Sequence, residues 1–201
     1  MFYTSGMANV VIVDYDPTWP DQFEQLAAAL RRRLDDGVVS IDHIGSTAVP
    51  GLAAKDVIDL QVTVASLGDA DRLAPTFQEV GYRATPFTQD HQPAGDTSDP
   101  HLWEKRLWQT PPGARRVNAH LRVAGWPNQR YALLFRDYLR AHPDAAAAYA
   151  RLKHALAERL GDDLYAYTDI KDPACDLIMV AAEAWAAGNG LPRPPGPSDT
   201  R

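Results

Sequence analysis

The chain has little cysteine and no closely spaced histidines. Cys175 is the only cysteine among 201 residues, so neither an intramolecular disulfide nor a cysteine-based zinc site is available, and we expect Cys175 to be a small buried apolar side chain. The six histidines have no HxH or HxxxH spacing, which disfavours a histidine metal site. No apolar run approaches the ~20 residues that span a membrane, and residues 1–10 lack the features of a signal peptide. These absences predict a soluble, cytoplasmic protein.

Basic residues are not in excess. The chain carries 20 Lys and Arg against 26 Asp and Glu, a formal net charge of −6 at pH 7. An extended nucleic-acid surface needs clustered Lys and Arg, so we expect none, although a local basic pocket is compatible with this balance. The sequence also has no GxxxxGK[ST] segment, so it is not a P-loop kinase.

The ends of the sequence differ from its middle. Residues 188–201 are rich in Pro and Gly and are expected to form a disordered tail, and residues 1–8 a flexible N-terminus in which either Met1 or Met7 is the native start. Residues 9–187 contain no internal repeat and suffice for one domain with its own core.

Short strand-like runs come first and amphipathic helices dominate the last third. The helix over 19–34 follows from apolar residues at helical spacing, and Ser66 is expected to cap a helix that runs through Val80. Alternating and turn-bounded runs predict the remaining elements: strands over 10–14, 38–44 and 57–64, a polar loop over 85–100, a hairpin of 101–109 with 115–125, and helices over 128–142, 143–160 and 172–187. This order predicts an α+β (mixed α/β) domain.

One stretch, HIGSTAVPGLAAKDVIDLQV at residues 43–62, combines features that suit a phosphate. Gly45 permits a sharp turn, and Ser46 and Thr47 offer hydroxyl and N–H groups where a helix is expected to begin. Asp59 follows on a strand, where a carboxylate can hold Mg²⁺. The alternative is a plain turn in which Ser46 caps a helix and Asp59 pairs with Lys55 or an arginine.

A second group of polar residues lies on the predicted hairpin. Period-two alternation places Asn118, His120 and Arg122 on one face of a strand and apolar residues on the other. Lys105 and Arg106 on the partner strand could face the same pocket, and the register that decides between them stays open.

These residues carry a family resemblance. The stretch 43–62 resembles the signature of the GrpB family, and YDPTW at 15–19, FRDYLRAHP at 135–143 and the pairs Tyr149–Lys153 and Tyr167–Lys171 continue the resemblance over about residues 10–187. It implies a nucleotidyltransferase-like fold, a small mixed sheet flanked by helices with a helical C-terminal third. The region 102–139 also resembles the GrpB-like C-terminal domain that is fused to dephospho-CoA kinases in some bacteria.

The acidic set of an active nucleotidyltransferase is incomplete in this chain. Such enzymes use three carboxylates to hold two Mg²⁺ ions, and Asp59 matches only the first. Gln61 occupies the second position, and the face of Asn118, His120 and Arg122 has no carboxylate for the third. An amide binds cations poorly, whereas arginine binds phosphate well. We therefore expect Asp59 to act as the catalytic residue and ligand of one Mg²⁺ at most, in a pocket for an anion.

The expected phosphate-binding or ligand-binding residues come from all of these segments, namely His43, Gly45, Ser46, Thr47, Lys55, Gln61, Lys105, Arg106, Asn118, His120, Arg122, Arg136, Lys153 and Lys171. Structural alternatives stay open for several of them. His43 is equally compatible with a hydrogen-bonded structural histidine, Arg136 with a solvated helix face, and Lys153 with packing of its stem on Tyr149.

Three functions follow from this pattern. The preferred one is binding of a nucleotide or another phosphorylated small molecule. The second is an active Mg²⁺-dependent nucleotidyltransferase whose missing carboxylates come from Asp90, Asp96 or Asp99 on the polar loop. The third is a non-enzymatic accessory protein linked to coenzyme A biosynthesis, which acts through a protein partner.

Overall fold

The computed structural model describes residues 9–34 and 37–191. The expected flexible N-terminus over 1–8 lies outside the described residues, as do residues 192–201 of the disordered tail expected over 188–201, whereas Gly188 is the last residue of the final helix. The helices and strands are, in chain order, α1 Trp19–Arg31, β1 Val38–Ile44, β2 Ile58–Val64, α2 Leu67–Arg72, α3 Ala74–Glu79, β3 Arg83–Ala84, β4 Arg106–Gln109, β5 Val117–Val123, α4 Pro127–Ala141, α5 Pro143–Leu160 and α6 Leu164–Gly188. Along the described residues, no helix is both long enough and apolar enough to cross a membrane.

The five strands form one mixed sheet in the order β1-β2-β5-β4-β3. Strands β2 and β5 are parallel, and the other neighbours are antiparallel. The predicted α+β class, with a small mixed sheet and a helical C-terminal third, is confirmed. The parallel register pairs Asp59 with Asn118 and Gln61 with His120. Two polar stretches that are distant in sequence therefore lie side by side at the centre of the sheet.

Each face of the sheet packs against a different set of helices. Leu60 and Val62 of β2 and Leu121 of β5 are fully buried on one face, in a core with Trp19 and Phe23 of α1. Because side chains alternate along a strand, Asp59, Gln61, His120 and Arg122 project from the opposite face.

The polar face is covered by the C-terminal helices. Gln61 donates a hydrogen bond to the backbone oxygen of Gln129 in α4, 3.2 Å away. Helices α4, α5 and α6 form a second core around Phe135, Tyr149 and Met179. The polar face therefore lies between the sheet and a helical layer with its own apolar core.

Four elements differ from the sequence predictions. The last helix begins at Leu164, eight residues before the expected start at 172, and the Asp163 side chain caps it by accepting from the Ala166 N–H. Residues 10–14 form no strand: Val13 makes a single bridge with Ala54, and the Val10 N–H donates to Gly161 O, so this segment crosses from α5 to the 53–55 segment rather than along the sheet. Ser66 does cap a helix, accepting from the Asp69 N–H, but Pro75 has no N–H to continue it, and the helix divides into α2 and α3. Residues 100–103 form a short 3-10 helix, so β4 begins at Arg106 instead of near 101.

Candidate functional site

A cleft of about 550 Å³ lies between the polar face of the sheet and helices α4, α5 and α6. It is bounded by the turn after β1, the loop over 85–104 and the C-terminal helices. Ten residues that the sequence predicted as site residues line it: Gly45, Ser46, Thr47, Lys55, Asp59, Lys105, His120, Arg122, Lys153 and Lys171. Asn118 lies at its edge, because its side-chain amide donates to Asp59 Oδ1 at 2.6 Å.

The turn after β1 places Gly45 directly against Asp59. Gly45 has φ = +70°, and a Cβ at this position would lie 2.7 Å from Asp59 Oδ2. Only glycine meets both conditions without strain. The helix expected at Ser46 is a single 3-10 turn, Ser46–Ala48, so no helix dipole acts there. The Thr47 hydroxyl is buried, donates to Val57 O at 3.2 Å and contacts His43.

Asp59 is held as a carboxylate. Burial acts to raise its pKa, yet the contacts with His120 and Asn118 and the charge of Lys55 outweigh burial and hold the pKa below its usual value. His120 Nε2 lies 3.6 Å from Asp59 Oδ1. Burial and the charges of Arg122 and Lys105 lower the pKa of His120 to about 4, so its imidazole is neutral at pH 7. Asp59 therefore presents a negative charge to the cleft.

Three lysines face one end of the cleft. Lys153 is buried, donates from Nζ to Ser46 Oγ at 2.9 Å and to the carbonyl of Ala53, and lies over the ring of Tyr149. Burial and the charges of Lys171 and Lys55 lower its pKa to about 7. It is the Lys153 ammonium that lies over the Tyr149 ring, 4.7 Å from the ring centroid, and this ammonium also reaches Ser46.

Lys171 and Lys55 complete this end of the cleft. Lys171 pairs with Asp172 at 2.5 Å, and the surrounding Cys175, Asp172 and Tyr167 raise its pKa against the opposing effect of burial. Lys55 lies above the Tyr167 ring, and burial lowers its pKa. Lys55 thus contacts an aromatic face rather than a carboxylate.

A second charged group lies deeper, where Arg122 and Lys105 enclose Asp90. Arg122 binds both oxygens of Asp90, at 2.8 and 3.0 Å, and Lys105 Nζ lies 2.6 Å from Oδ1. Burial acts to raise the pKa of Asp90, but the two cations hold it well below its usual range. Arg122 also donates to Gln61 Oε1 at 2.8 Å. The carboxylate that β5 lacks is thus supplied from the loop, where it neutralises arginine.

Four predicted site residues do not face the cleft or are enclosed beneath it. Arg106 lies opposite Leu121 in the hairpin register, so it projects to the other face of the sheet and pairs with Asp71 of α2. Gln61 is fully buried under Arg122. His43 stacks on Phe23 with ring centroids 4.7 Å apart, and Arg136 donates to the His43 carbonyl. His43 and Arg136 line a separate groove between α1, β1 and α4.

Other lining residues were not predicted as site residues. Tyr131, Phe135 and Trp103 form an aromatic wall, and Phe87 on the loop is half exposed beside it. Cys175 is buried, as predicted, and also lines the cleft, with Sγ 3.8 Å from Lys171 Nζ. The four-residue spacing of Lys171 and Cys175 on one helix is the signal that would have placed both in one site.

The donor set suits one divalent cation rather than two. Asp59 Oδ1 is occupied by Asn118, and Oδ2 borders Gly45 and the cleft. Asp90 and Gln61 are both engaged by Arg122. Over residues 9–34 and 37–191, no group of three or more His, Cys, Asp or Glu side chains is arranged to hold a metal ion. A Mg²⁺ ion would need oxygen ligands from a bound phosphate and water besides Asp59.

The fold defines the class of this protein as an α+β domain in which a mixed sheet and a C-terminal helical layer enclose a cleft. The model of the family described as GrpB protein matches residues 9–180. The crystal structure of GrpB from Enterococcus faecalis superimposes on this chain with a TM-score of 0.70 and 31% sequence identity. The superposition covers 87% of this chain and 99% of that chain. The chain therefore belongs to the GrpB family.

Curated relatives fall into two groups. A UPF0157 protein of Halalkalibacterium halodurans is 31% identical over 177 residues, which are 88% of this chain and 84% of that protein. A dephospho-CoA kinase of Mycolicibacterium paratuberculosis is 38% identical over an alignment of 201 positions, which covers 91% of this chain and 48% of that protein. The chain spans about half the length of the kinases it matches.

Proposed function

We propose that the cleft binds the phosphate groups of a nucleotide or of another phosphorylated small molecule. The observation that carries this proposal is the convergence of the Lys55, Lys153 and Lys171 ammonium groups and the Ser46 hydroxyl at one end of the cleft. Within the described ranges, Asp172 is the one carboxylate within ion-pair distance of any of the three. A buried excess of positive charge is costly, and a phosphate would offset it with charge and several hydrogen-bond acceptors.

The aromatic wall suits the non-phosphate part of such a ligand. Trp103, Tyr131 and Phe135 bury apolar surface, and Phe87 offers an exposed ring at the loop. Ligand sites commonly combine an apolar wall with a few convergent polar groups. An organic phosphate should therefore bind this cleft more tightly than inorganic phosphate does.

Asp59 would hold a single Mg²⁺ beside the phosphates. The bound cation would neutralise phosphate charge and polarise a phosphorus–oxygen bond. Asp59 would supply one carboxylate oxygen, His120 would stay neutral, and Arg122 would remain paired with Asp90. Catalysis is a separate question from binding, since Asp90, the loop carboxylate that lines the cleft, is engaged by Arg122 and Lys105, and Asp96 and Asp99 do not line the cleft.

The relatives narrow the choice of ligands to test. Several are dephospho-CoA kinases that this chain covers over about half their length. Dephospho-coenzyme A and coenzyme A each combine phosphate groups, which would bind at the three lysines, with a nucleoside, which would pack on the aromatic wall. The same relationship favours an accessory role in coenzyme A biosynthesis as the second candidate function, and a stable complex with the kinase is its expected sign.

A thermal-shift screen of nucleotides, coenzyme A and dephospho-coenzyme A, with and without Mg²⁺, tests the proposal. A ligand at 100 times its Kd adds about 2.7 kcal/mol of apparent stability. Lys153→Met should abolish the shift, whereas Arg159→Met, an exposed change on the same helix, should leave it intact. Asp59→Asn should remove only the part of the shift that depends on Mg²⁺. Absence of a shift with every phosphate compound would contradict the proposal.

The affinity of the cleft for a phosphate ligand should also depend on pH. The pKa of Lys153 is about 7 in the free protein, so raising the pH from 7 to 9 removes its positive charge. Phosphate binding should therefore weaken over this range, by up to about tenfold per pH unit, since binding must restore the proton. Lys153→Arg keeps the charge and should show a much flatter profile in calorimetric titrations. A wild-type affinity unchanged between pH 7 and 9 would rule out a direct role for Lys153.

The transferase alternative has its own test. An active nucleotidyltransferase should transfer label from a nucleotide in the presence of Mg²⁺, and Asp59→Ala should abolish that transfer. If no nucleotide supports transfer while the thermal shift persists, the protein binds phosphates without this chemistry.

A further inference from the structure

Helix α6 is apolar on two opposite sides. Its inner side, with Cys175, Met179, Ala182 and Ala186, packs in the second core. Its outer side is exposed and equally free of charge. The acidic residues Asp169, Asp172, Asp176 and Glu183 all lie along one flank between these two sides, so the apolar surface of α6 is far wider than the single apolar stripe of an ordinary surface helix. The exposed apolar outer side of α6 is therefore a candidate surface for binding another protein chain.

The exposed residues follow a heptad spacing. We call them the α6 stripe: Ile170, Pro173, Leu177, Val180, Ala184 and Ala187, separated in turn by three, four, three, four and three positions. Leu177 is 75% exposed, Val180 72% and Ile170 51%. This alternation is the a/d pattern by which two helices pack along a common seam. The stripe runs for about 26 Å at the helical rise of 1.5 Å per residue.

We propose that the α6 stripe pairs with the α6 stripe of a second copy of this chain, antiparallel and about a two-fold axis near residues 178–179. The size of the side chains supports this occupant, because the stripe is bulky at its start and small at its end. Antiparallel pairing places Ile170 against the partner's Ala187, Pro173 against the partner's Ala184, and Leu177 against the partner's Val180. Each layer then combines a larger with a smaller side chain, and one patch complements itself as a two-fold interface requires.

Area and charge are compatible with a dimer. From the exposures, the stripe presents on the order of 500 Å² per protomer, so two stripes together reach the roughly 1,000 Å² lower bound of specific interfaces. Acidic residues at 169, 176 and 183 flank the stripe. Arg130 pairs with Glu183 and neutralises its charge, and Asp176 accepts hydrogen bonds from His91 Nε2 and the Ala94 N–H. Each copy carries a formal net charge of −6, so two copies repel one another, and the dimer should tighten with ionic strength because salt screens that repulsion.

Sedimentation equilibrium of the whole chain tests the proposal. The wild type should show a concentration-dependent monomer–dimer equilibrium, stronger at high salt. Leu177→Lys and Val180→Glu should each abolish the dimer, because each places a charge in the apolar seam. Both positions are exposed, so circular dichroism and the melting temperature of the monomer should be unchanged. A wild type that is monomeric at all concentrations would overturn the proposal, as would single variants that still dimerise.

The double variant Leu177→Lys with Val180→Glu tests the antiparallel register. Residue 177 of each copy would then face residue 180 of the other, so two Lys–Glu pairs would restore the dimer that each single change abolishes. A parallel arrangement would instead oppose like charges, and the double variant would stay monomeric, which would refute the register. Val39→Glu, an equally exposed valine on β1, is the matched control and should leave the dimer intact. Loss of the dimer in Val39→Glu but not in Val180→Glu would assign the interface to the sheet edge.

Discussion

Gly45 determines where the Asp59 carboxylate can lie. The positive φ of Gly45 and its close approach to Asp59 Oδ2 are two separate demands on one residue. Sequence reasoning reached Gly45 through the turn that it permits. The contact with Asp59 depends on the antiparallel pairing of β1 with β2, in which Ile44 lies opposite Asp59. Gly45 could therefore be predicted as a site residue from the sequence, but its contact with Asp59 could be identified only from the register of β1 and β2.

Gly45→Ala should lower the free energy of unfolding by more than Gly51→Ala. Gly51 also has positive φ, +77°, but open space surrounds its Cβ position. Both changes cost about 1–2 kcal/mol of backbone strain. Only Gly45→Ala adds a clash with Asp59, so urea denaturation should show a larger loss for it, together with weaker Mg²⁺-dependent ligand binding. Equal losses in the two variants would show that Asp59 moves aside freely.

The loop over 85–104 and the hairpin are the elements that shape the deep end of the cleft. The hairpin turn and the alternation of β5 were readable from sequence. The choice between Lys105 and Arg106 was not, because it depends on which residue of β4 faces Leu121. The loop was predicted as polar and Asp90 as a candidate carboxylate. Its use as the partner of Arg122 and Lys105 follows from the loop's path, which local sequence does not specify.

Asp90→Asn should be strongly destabilising, because it leaves two buried cations without an anion. Removing one partner of a buried ion pair costs about 3–5 kcal/mol. Asp71→Asn is the matched control: Asp71 also pairs with an arginine, Arg106, but is 57% exposed. An exposed pair contributes about 0–1 kcal/mol, so the control should be nearly neutral. Similar midpoints of urea unfolding for both variants would show that the Asp90 group is not required for stability.

In the part of the chain that the structure describes, the two largest apolar cores lie on opposite faces of one sheet. Polar contacts join the helical layer to the sheet: Gln61 binds the α4 backbone, Arg140 donates to Ala48 O, and Lys153 reaches Ser46. The Lys153–Ser46 contact lies in the cleft, whereas Arg140 lines the separate groove between α1, β1 and α4. The two layers should therefore unfold together, since loss of either exposes the buried polar face of the other.

Met179→Ala tests this coupling. Truncating a buried methionine costs about 2–5 kcal/mol, and Met179 lies only in the helical core. In wild type and variant, far-UV circular dichroism and tryptophan fluorescence should report one coincident urea transition, shifted to lower urea in the variant. Both proteins carry Trp185→Phe, because Trp185 packs against the helical core, and Trp19 and Trp108 in the sheet core then provide the distant fluorescence probe. Two separated transitions would show that the helical layer unfolds by itself.

The sequence by itself determined most of the elements, the two faces of β2 and β5, and the Gly45–Asp59 candidate, because local periodicity and turn chemistry dictate them. The family resemblance added Lys153 and Lys171, which spacing alone leaves unremarkable. Only the tertiary structure decided which charges share the cleft. It separates Arg106, His43 and Arg136 from the lysines and brings Asp90 to Arg122. These outcomes depend on strand register and on contacts between residues far apart in the chain, and no local pattern encodes either.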